Sequence, residues 1–118
     1  MNHKDLEVWK KSMELVIDIY KITQKFPDTE KFGLINQIRR AAVSVPSNIA
    51  EGCARNSDKD NLRFVDIACG SLAEIETQLL ISVQLGYYEM NKALLVIDKI
   101  DNIGRMLSGL KKHLRNKV

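Results

Sequence analysis

Two prolines, six glycines, two cysteines and two histidines are all that the 118 residues contain of the types that mark turns, disulfide frameworks and metal centres. Cys53 and Cys69 make neither a framework nor a metal pair, and they fit reduced thiols. His3 and His113 stand near the two ends, neither of them three residues after a Glu. The paired Glu-x-x-His of di-iron bundles is therefore missing. No nucleophile, base and orienting group can be assembled without a central histidine, and there is no phosphate-binding glycine loop. The expectation is a chain with no cofactor, no metal and no catalytic set. No stretch reaches the roughly 18 uncharged apolar residues of a membrane span. Residues 64–91 come nearest because they lack Lys and Arg, but Asp66, Glu74, Glu76 and Glu89 interrupt them. Residues 1–5 lack the apolar run of a secretory signal, so a cytoplasmic place is expected.

What is present favours helix. Hydrophobic residues make up 45% and charged residues 28%, an ordinary balance for one soluble domain over residues 1–118. Apolar residues recur at alternating spacings of three and four, predicting helices at about 5–25, 30–55, 58–85 and 91–116. The first has a seam of Leu6, Trp9, Met13, Val16 and Tyr20, with a second row of Leu15, Ile19, Ile22 and Phe26. Asp5 is its expected N-cap, Asp28 or Thr29 that of the second helix, Ser57 that of the third and Asn91 that of the fourth. The third seam is Val65, Ala68, Leu72, Ile75, Leu79, Ser82 and Gly86. The fourth is Ala93, Val96, Ile100, Ile103, Leu107, Leu110 and Leu114. Short connections make successive helices antiparallel neighbours, so the fold class is all-α, an up-down-up-down four-helix bundle.

The richest stretch is Arg39–Gly52, R-R-A-A-V-S-V-P-S-N-I-A-E-G. Ile35, Ile38, Ala42, Val45 and Ile49 form its apolar seam. Gln37, Arg40, Ser44, Asn48, Glu51 and Arg55 form a polar stripe, and Val43, Ala50 and Ala54, joined by Phe32, form a face of mostly small residues. Pro46 removes a backbone donor and predicts a kink, with a true break at Val45-Pro46 as the alternative. On the third helix Ser71, Glu74 and Gln78 sit between Ile67 and Ile81. Two helices thus offer more than one buried face each. The surplus is a candidate subunit interface, with a broad-cored monomer as the alternative. Glu51 and Glu74 are expected to satisfy hydroxyl and amide partners, and an acid-base pair is the sharper, less favoured reading. Gly70, Gly104 and Gly109 fall in helix patterns and are expected to permit close packing.

Net charge is +3, and beyond Asp101 every charged side chain is basic: Arg105, Lys111, Lys112, Arg115 and Lys117. These are the candidate nucleic-acid contacts, since cations that release counterions from phosphates give affinity without sequence preference. A solvated helix end is the plainer alternative. Trp9 and Tyr20 belong to the predicted core seam, while Tyr87 and Tyr88, in a turn, stay open as base-stacking groups.

L-E-V-W at 6–9, F-P at 26–27, Q-I-R-R-A-A-V-S-V-P-S-N-I-A-E-G at 37–52, A-x-G-S-L-A-E-I-E-T-Q-L at 68–79 and L-G-Y at 85–87 resemble the four-helix-bundle proteins encoded in intervening sequences of bacterial 23S rRNA genes. The resemblance spans nearly the whole chain. It implies a bundle assembled as a ring-shaped homopentamer. It also marks Arg39, Ser44, Pro46, Asn48, Glu51, Gly52, Ser71 and Glu74 as motif and assembly positions. The wider superfamily includes the accessory variability protein of diversity-generating retroelements, which partners a reverse transcriptase and binds nucleic acid. Self, RNA or DNA, and a further protein are therefore the expected partners. Five subunits at +3 each would carry about +15, enough to steer polyanions.

Overall fold

A computed structural model describes residues 1–117. Four helices carry the chain: α1 Glu7–Thr23, α2 Leu34–Cys53, α3 Asp58–Gln84 and α4 Met90–Arg115. Short 3-10 turns at His3–Asp5 and Asp28–Glu30 precede the first two, and there is no strand among the described residues. Each helix packs on its neighbours in sequence, and α1 also meets α4. The molecule measures 46 × 25 × 20 Å. Its long axis is little more than the length of α3, whose 27 residues rise about 40 Å.

The core is the union of the helix seams. Ile19, Ile38, Ala42, Val45, Ile49, Val65, Ala68, Ile75, Leu79, Ala93, Leu107 and Leu114 are all fully enclosed. The predicted lines of α3 and α4 are found inside, apart from Gly86, which is exposed, and Leu110, which is half-buried. Gly86 instead ends α3 with φ +82°, a conformation that L side chains rarely adopt. Burial of the Val, Leu and Ile side chains among them contributes roughly 1.5–3 kcal/mol each before the entropy of ordering is subtracted.

The seam of α1 differs from expectation. The enclosed line is Val8, Ser12, Leu15, Ile19, Thr23 and Phe26, while Met13 and Tyr20 are exposed and Trp9 is only half-buried. Ser12 and Thr23 are accommodated because their hydroxyls donate to carbonyls of their own helix, Trp9 O at 2.7 Å and Ile19 O at 2.8 Å. A row carrying two polar residues looks like surface, yet intrahelical bonding makes it core.

Three of the four expected caps are also displaced. Asp5 is absorbed into the first 3-10 turn, and Leu6 occupies the N-cap of α1 without a side-chain bond. Asp28 and Thr29 lie in the second 3-10 turn, so α2 starts later than expected, after Gly33. Its Leu34 N–H donates to Glu30 Oε1 at 3.2 Å. Glu89, not Asn91, precedes α4. Only Ser57 caps as predicted, accepting from Asp60 N at 3.1 Å. Helix α2 runs through Pro46 without a break, and Pro46 is buried.

Candidate functional site: the α2–α3 polar face and the basic end of α4

The polar stripe of α2 meets that of α3 through one small network. Ser44 Oγ and Ser71 Oγ lie 2.8 Å apart, and Asn48 Nδ2 donates to both the carbonyl and the hydroxyl oxygen of Ser44 at 2.8 Å. The spacing of four residues puts Asn48 one turn beyond Ser44 on the same side of α2, which is why a single amide reaches both oxygens. Next to this network, Asn36, Gln37, Arg40, Glu74 and Gln78 line a polar depression of about 390 Å³. Gln78 Oε1 is enclosed there without a hydrogen-bond partner.

Gly52 has a packing role. A Cβ built on it would stand 2.5 Å from Asn61 Oδ1, 3.1 Å from Phe64 Cβ and 3.2 Å from the Asn61 carbonyl oxygen. The end of α2 and the start of α3 approach only because that position carries no side chain. Gly70, Gly104 and Gly109 are the opposite case, since a Cβ at any of them meets nothing within 4 Å. The close packing expected at these three does not occur among the described residues, because Gly70 and Gly109 are exposed and Gly104 borders an open depression.

The two carboxylates are not enclosed as expected. Glu51 is exposed and accepts from Arg55 one turn later at 2.8 Å. Glu74 is exposed at the rim of the polar depression. Neither supplies the hydroxyl–amide network, which Asn48 completes by itself. The thiols are equally quiet. Burial pushes the Cys53 thiol up, and it does the same at Cys69, where nearby Lys111 opposes the shift and Asp66 adds to it. Both are thus predominantly protonated near neutral pH, the form that is a poor nucleophile.

The five basic residues beyond Asp101 are treated unequally. Lys111 is held by Asp66 at 2.7 Å and Lys117 by Asp58 at 3.8 Å. Arg105, Lys112 and Arg115 are exposed and have no ion-pair partner among the described residues. Arg105 and Lys111 also line a depression of about 720 Å³ between α3 and α4, together with Glu76, Asp101 and Gly104. Helix α3 thus carries acids that temper the basic end.

A second cationic region escaped the sequence reading. Arg39 Nε donates to Thr23 Oγ1 at 2.8 Å, and its Nη2 donates to the Tyr20 carbonyl at 3.3 Å. The guanidinium carbon rests 4.4 Å from the centre of the Tyr20 ring. The only available signal was Thr23 and Arg39 flanking a turn, and the placement of Tyr20 on the core seam concealed it. Elsewhere Tyr87 donates to Glu30 Oε2 at 3.0 Å and packs at a tilt on Phe26, and Tyr88 is half-buried against the core. Tyr87 thus finds its polar and packing partners within the fold, and Tyr88 its packing partners.

These features define a class: a small all-helical, bundle-like protein whose second and third helices present a polar, small-residue face outward. Among the described residues no helix is long and apolar enough to cross a membrane. The chain belongs to the 23S rRNA-intervening sequence protein family, which matches residues 4–109. No curated protein matches it. Among solved structures it is similar to a protein of unknown function from the S23 ribosomal protein family of Bacteroides thetaiotaomicron. The two are 24% identical, with a TM-score of 0.82, over 89% of this chain and 95% of that one. That likeness supports the fold.

Proposed function

We propose that this chain is a non-catalytic scaffold: an up-down-up-down bundle that joins copies of itself in a ring and engages nucleic acid through cationic surface at the end of α4. The observation that carries the nucleic-acid element is that Arg105, Lys112 and Arg115 are exposed and have no ion-pair partner among the described residues, on a helix with no acidic side chain beyond Asp101. The alternating direction is supported by the connections 54–57 and 85–89, which reach at most about 17 Å, too short to return along a helix. Assembly is supported by the exposed Val43, next to Ser44, and Ile67, one turn from Ser71, with Ile81 exposed further along α3, and by the ring that the family resemblance implies. Such a patch of apolar side chains around a polar network is what a subunit interface requires.

Light scattering is expected to give a mass well above the 13.4 kDa of one chain. Val43→Glu and Ala50→Glu should lower that mass while leaving the helical circular dichroism in place. Binding to structured RNA and duplex DNA, followed against salt, should weaken when Arg105, Lys112 and Arg115 become Gln. For the duplex, each lost phosphate contact should flatten the log–log salt slope by about 0.9. Absence of binding at low salt, or binding indifferent to those charges, overturns the nucleic-acid element. A 13.4 kDa species overturns the ring.

A protein partner is the second reading. It is favoured by Leu94 and Leu95 of α4 and Ile17 of α1, all exposed, with Leu95 at 69%. A specific complex that survives nuclease and high salt, and that Leu95→Asp abolishes, would move the proposal there.

A further inference from the structure

The depression where α1 and α2 come together combines aromatic rings with cations. It spans about 610 Å³, within the range of ligand clefts, and is lined by Tyr20, Lys31, Phe32, Arg39 and Arg40 with no acid, and it borders the proposed subunit face at Val43 and Ser44. Phe32 is 87% exposed, the most exposed of the large hydrophobic side chains. Lys31 Nζ lies 5.6 Å from the centre of its ring. Glu30, close by in sequence, is already committed to Tyr87 Oη and the Leu34 N–H. Arg40 has no ion pair among the described residues.

We infer that this depression binds single-stranded nucleic acid, with an unpaired base stacked on Phe32 and the adjoining phosphates on Arg40 and Lys31. The chemistry favours an unpaired strand for three reasons. An aromatic face standing in water gains from a flat, polarizable partner, and base stacking needs no particular base. A paired duplex keeps its base faces inside the stack and cannot offer one. Three cations without a lining acid call for a polyanion, whereas a carboxylate-bearing peptide would leave the Phe32 face uncovered. Arg39 contributes by being fixed. With Nε and Nη2 held by Thr23 and the Tyr20 carbonyl, its charge and the Tyr20 ring form one wall that need not be ordered on binding. The inference deepens the nucleic-acid reading of the previous section, but it uses different residues and a different form of nucleic acid. The two therefore fail separately.

The test uses the full chain and labelled oligothymidylate and oligouridylate of about ten nucleotides, a length suited to a compact single-strand site. Anisotropy titrations against salt are run beside a duplex of the same length, and light scattering is run on every variant. Phe32→Ala is expected to weaken single-strand binding by about five-fold or more. Arg40→Gln should reduce the salt slope by about 0.7, the single-strand value per phosphate. Both should leave duplex binding unchanged, while Gln at Lys112 and Arg115 does the reverse. Neither side chain supports the core, so neither variant threatens the fold. Single-strand binding that is absent at low salt, or indifferent to both substitutions, overturns the inference. So does a Phe32→Ala variant whose mass falls while its oligonucleotide affinity holds, because the depression then belongs to a second copy of the chain.

Discussion

Helix α3 has two seams, and a helical glycine stands beside each. At the α2–α3 seam, Gly52 sits under Asn61 and Phe64 with no room for a methyl group. At the α3–α4 seam, Gly104 lines an open depression and a Cβ there would touch nothing. The same residue type in the same secondary structure therefore has opposite packing consequences. What decides between them is the opposing surface: Asn61 is buried and faces Gly52, whereas the surroundings of Gly104 leave about 720 Å³ unfilled. A small residue permits close approach, and whether a neighbour takes it up is a property of the pair.

The largest effect that tests this contrast sets an inward position of α2 against an outward one of α4. Ile49 is fully enclosed, so Ile49→Asp buries an unpaired charge and should cost about 4 kcal/mol or more, enough to abolish the thermal transition. Ser108, exposed in the α3–α4 depression, should accept Asp with a change within about 0.5 kcal/mol. If both unfold the protein, the second seam is not open in solution.

A smaller effect separates the two glycines directly. Gly52→Ala must push α3 away or shift Asn61, and a net loss of about 1–3 kcal/mol is expected in urea unfolding. Gly104→Ala has no such clash and should gain up to about 1 kcal/mol from helix propensity. A covering subunit over Gly104 would reverse that sign, so denaturation at two protein concentrations sharpens the comparison.

The smallest effect lies where the two outer connections meet. The hydrogen bond to Glu30, followed by desolvation and the Glu30 charge, raises the Tyr87 phenol above its usual range. A raised folded value means that this contribution is complete below the unfolded value of about 10 and fades as pH rises through the folded one. Tyr87→Phe should therefore show a shallower fall in thermal midpoint above about pH 10. Lys99, raised by its hydrogen bond to Asp18, works in the same direction and should keep some slope in the variant.

Sequence periodicity carries far for α3 and α4, where the predicted lines face the core, Ser82 of α3 included, and Ser57 caps by a local rule that needs no tertiary knowledge. It misled for α1. Two apolar rows lie side by side there, and the true core line is interrupted by Ser12 and Thr23, whose bonds to their own backbone cannot be read from hydropathy. The α1–α2 depression is equally illegible in hydropathy, since spacing puts Tyr20 inward and Arg39 finds its partners 16 and 19 residues away. Ser44 and Ser71 were placed on the right faces by spacing alone. Their bond across 27 residues, and the surface role of Glu51, depended on the packed geometry.

The Arg39–Thr23 bond also bears on the order of events when the chain folds. It closes a segment of 16 residues, whereas the Lys99–Asp18 pair that joins α4 to α1 closes one of 81. By chain entropy alone the longer closure is less favourable by about 1.4 kcal/mol. The α1–α2 contact is thus available early, when α4 is still searching. A refolding chain should gain its Arg39-braced corner before it gains its closed circumference.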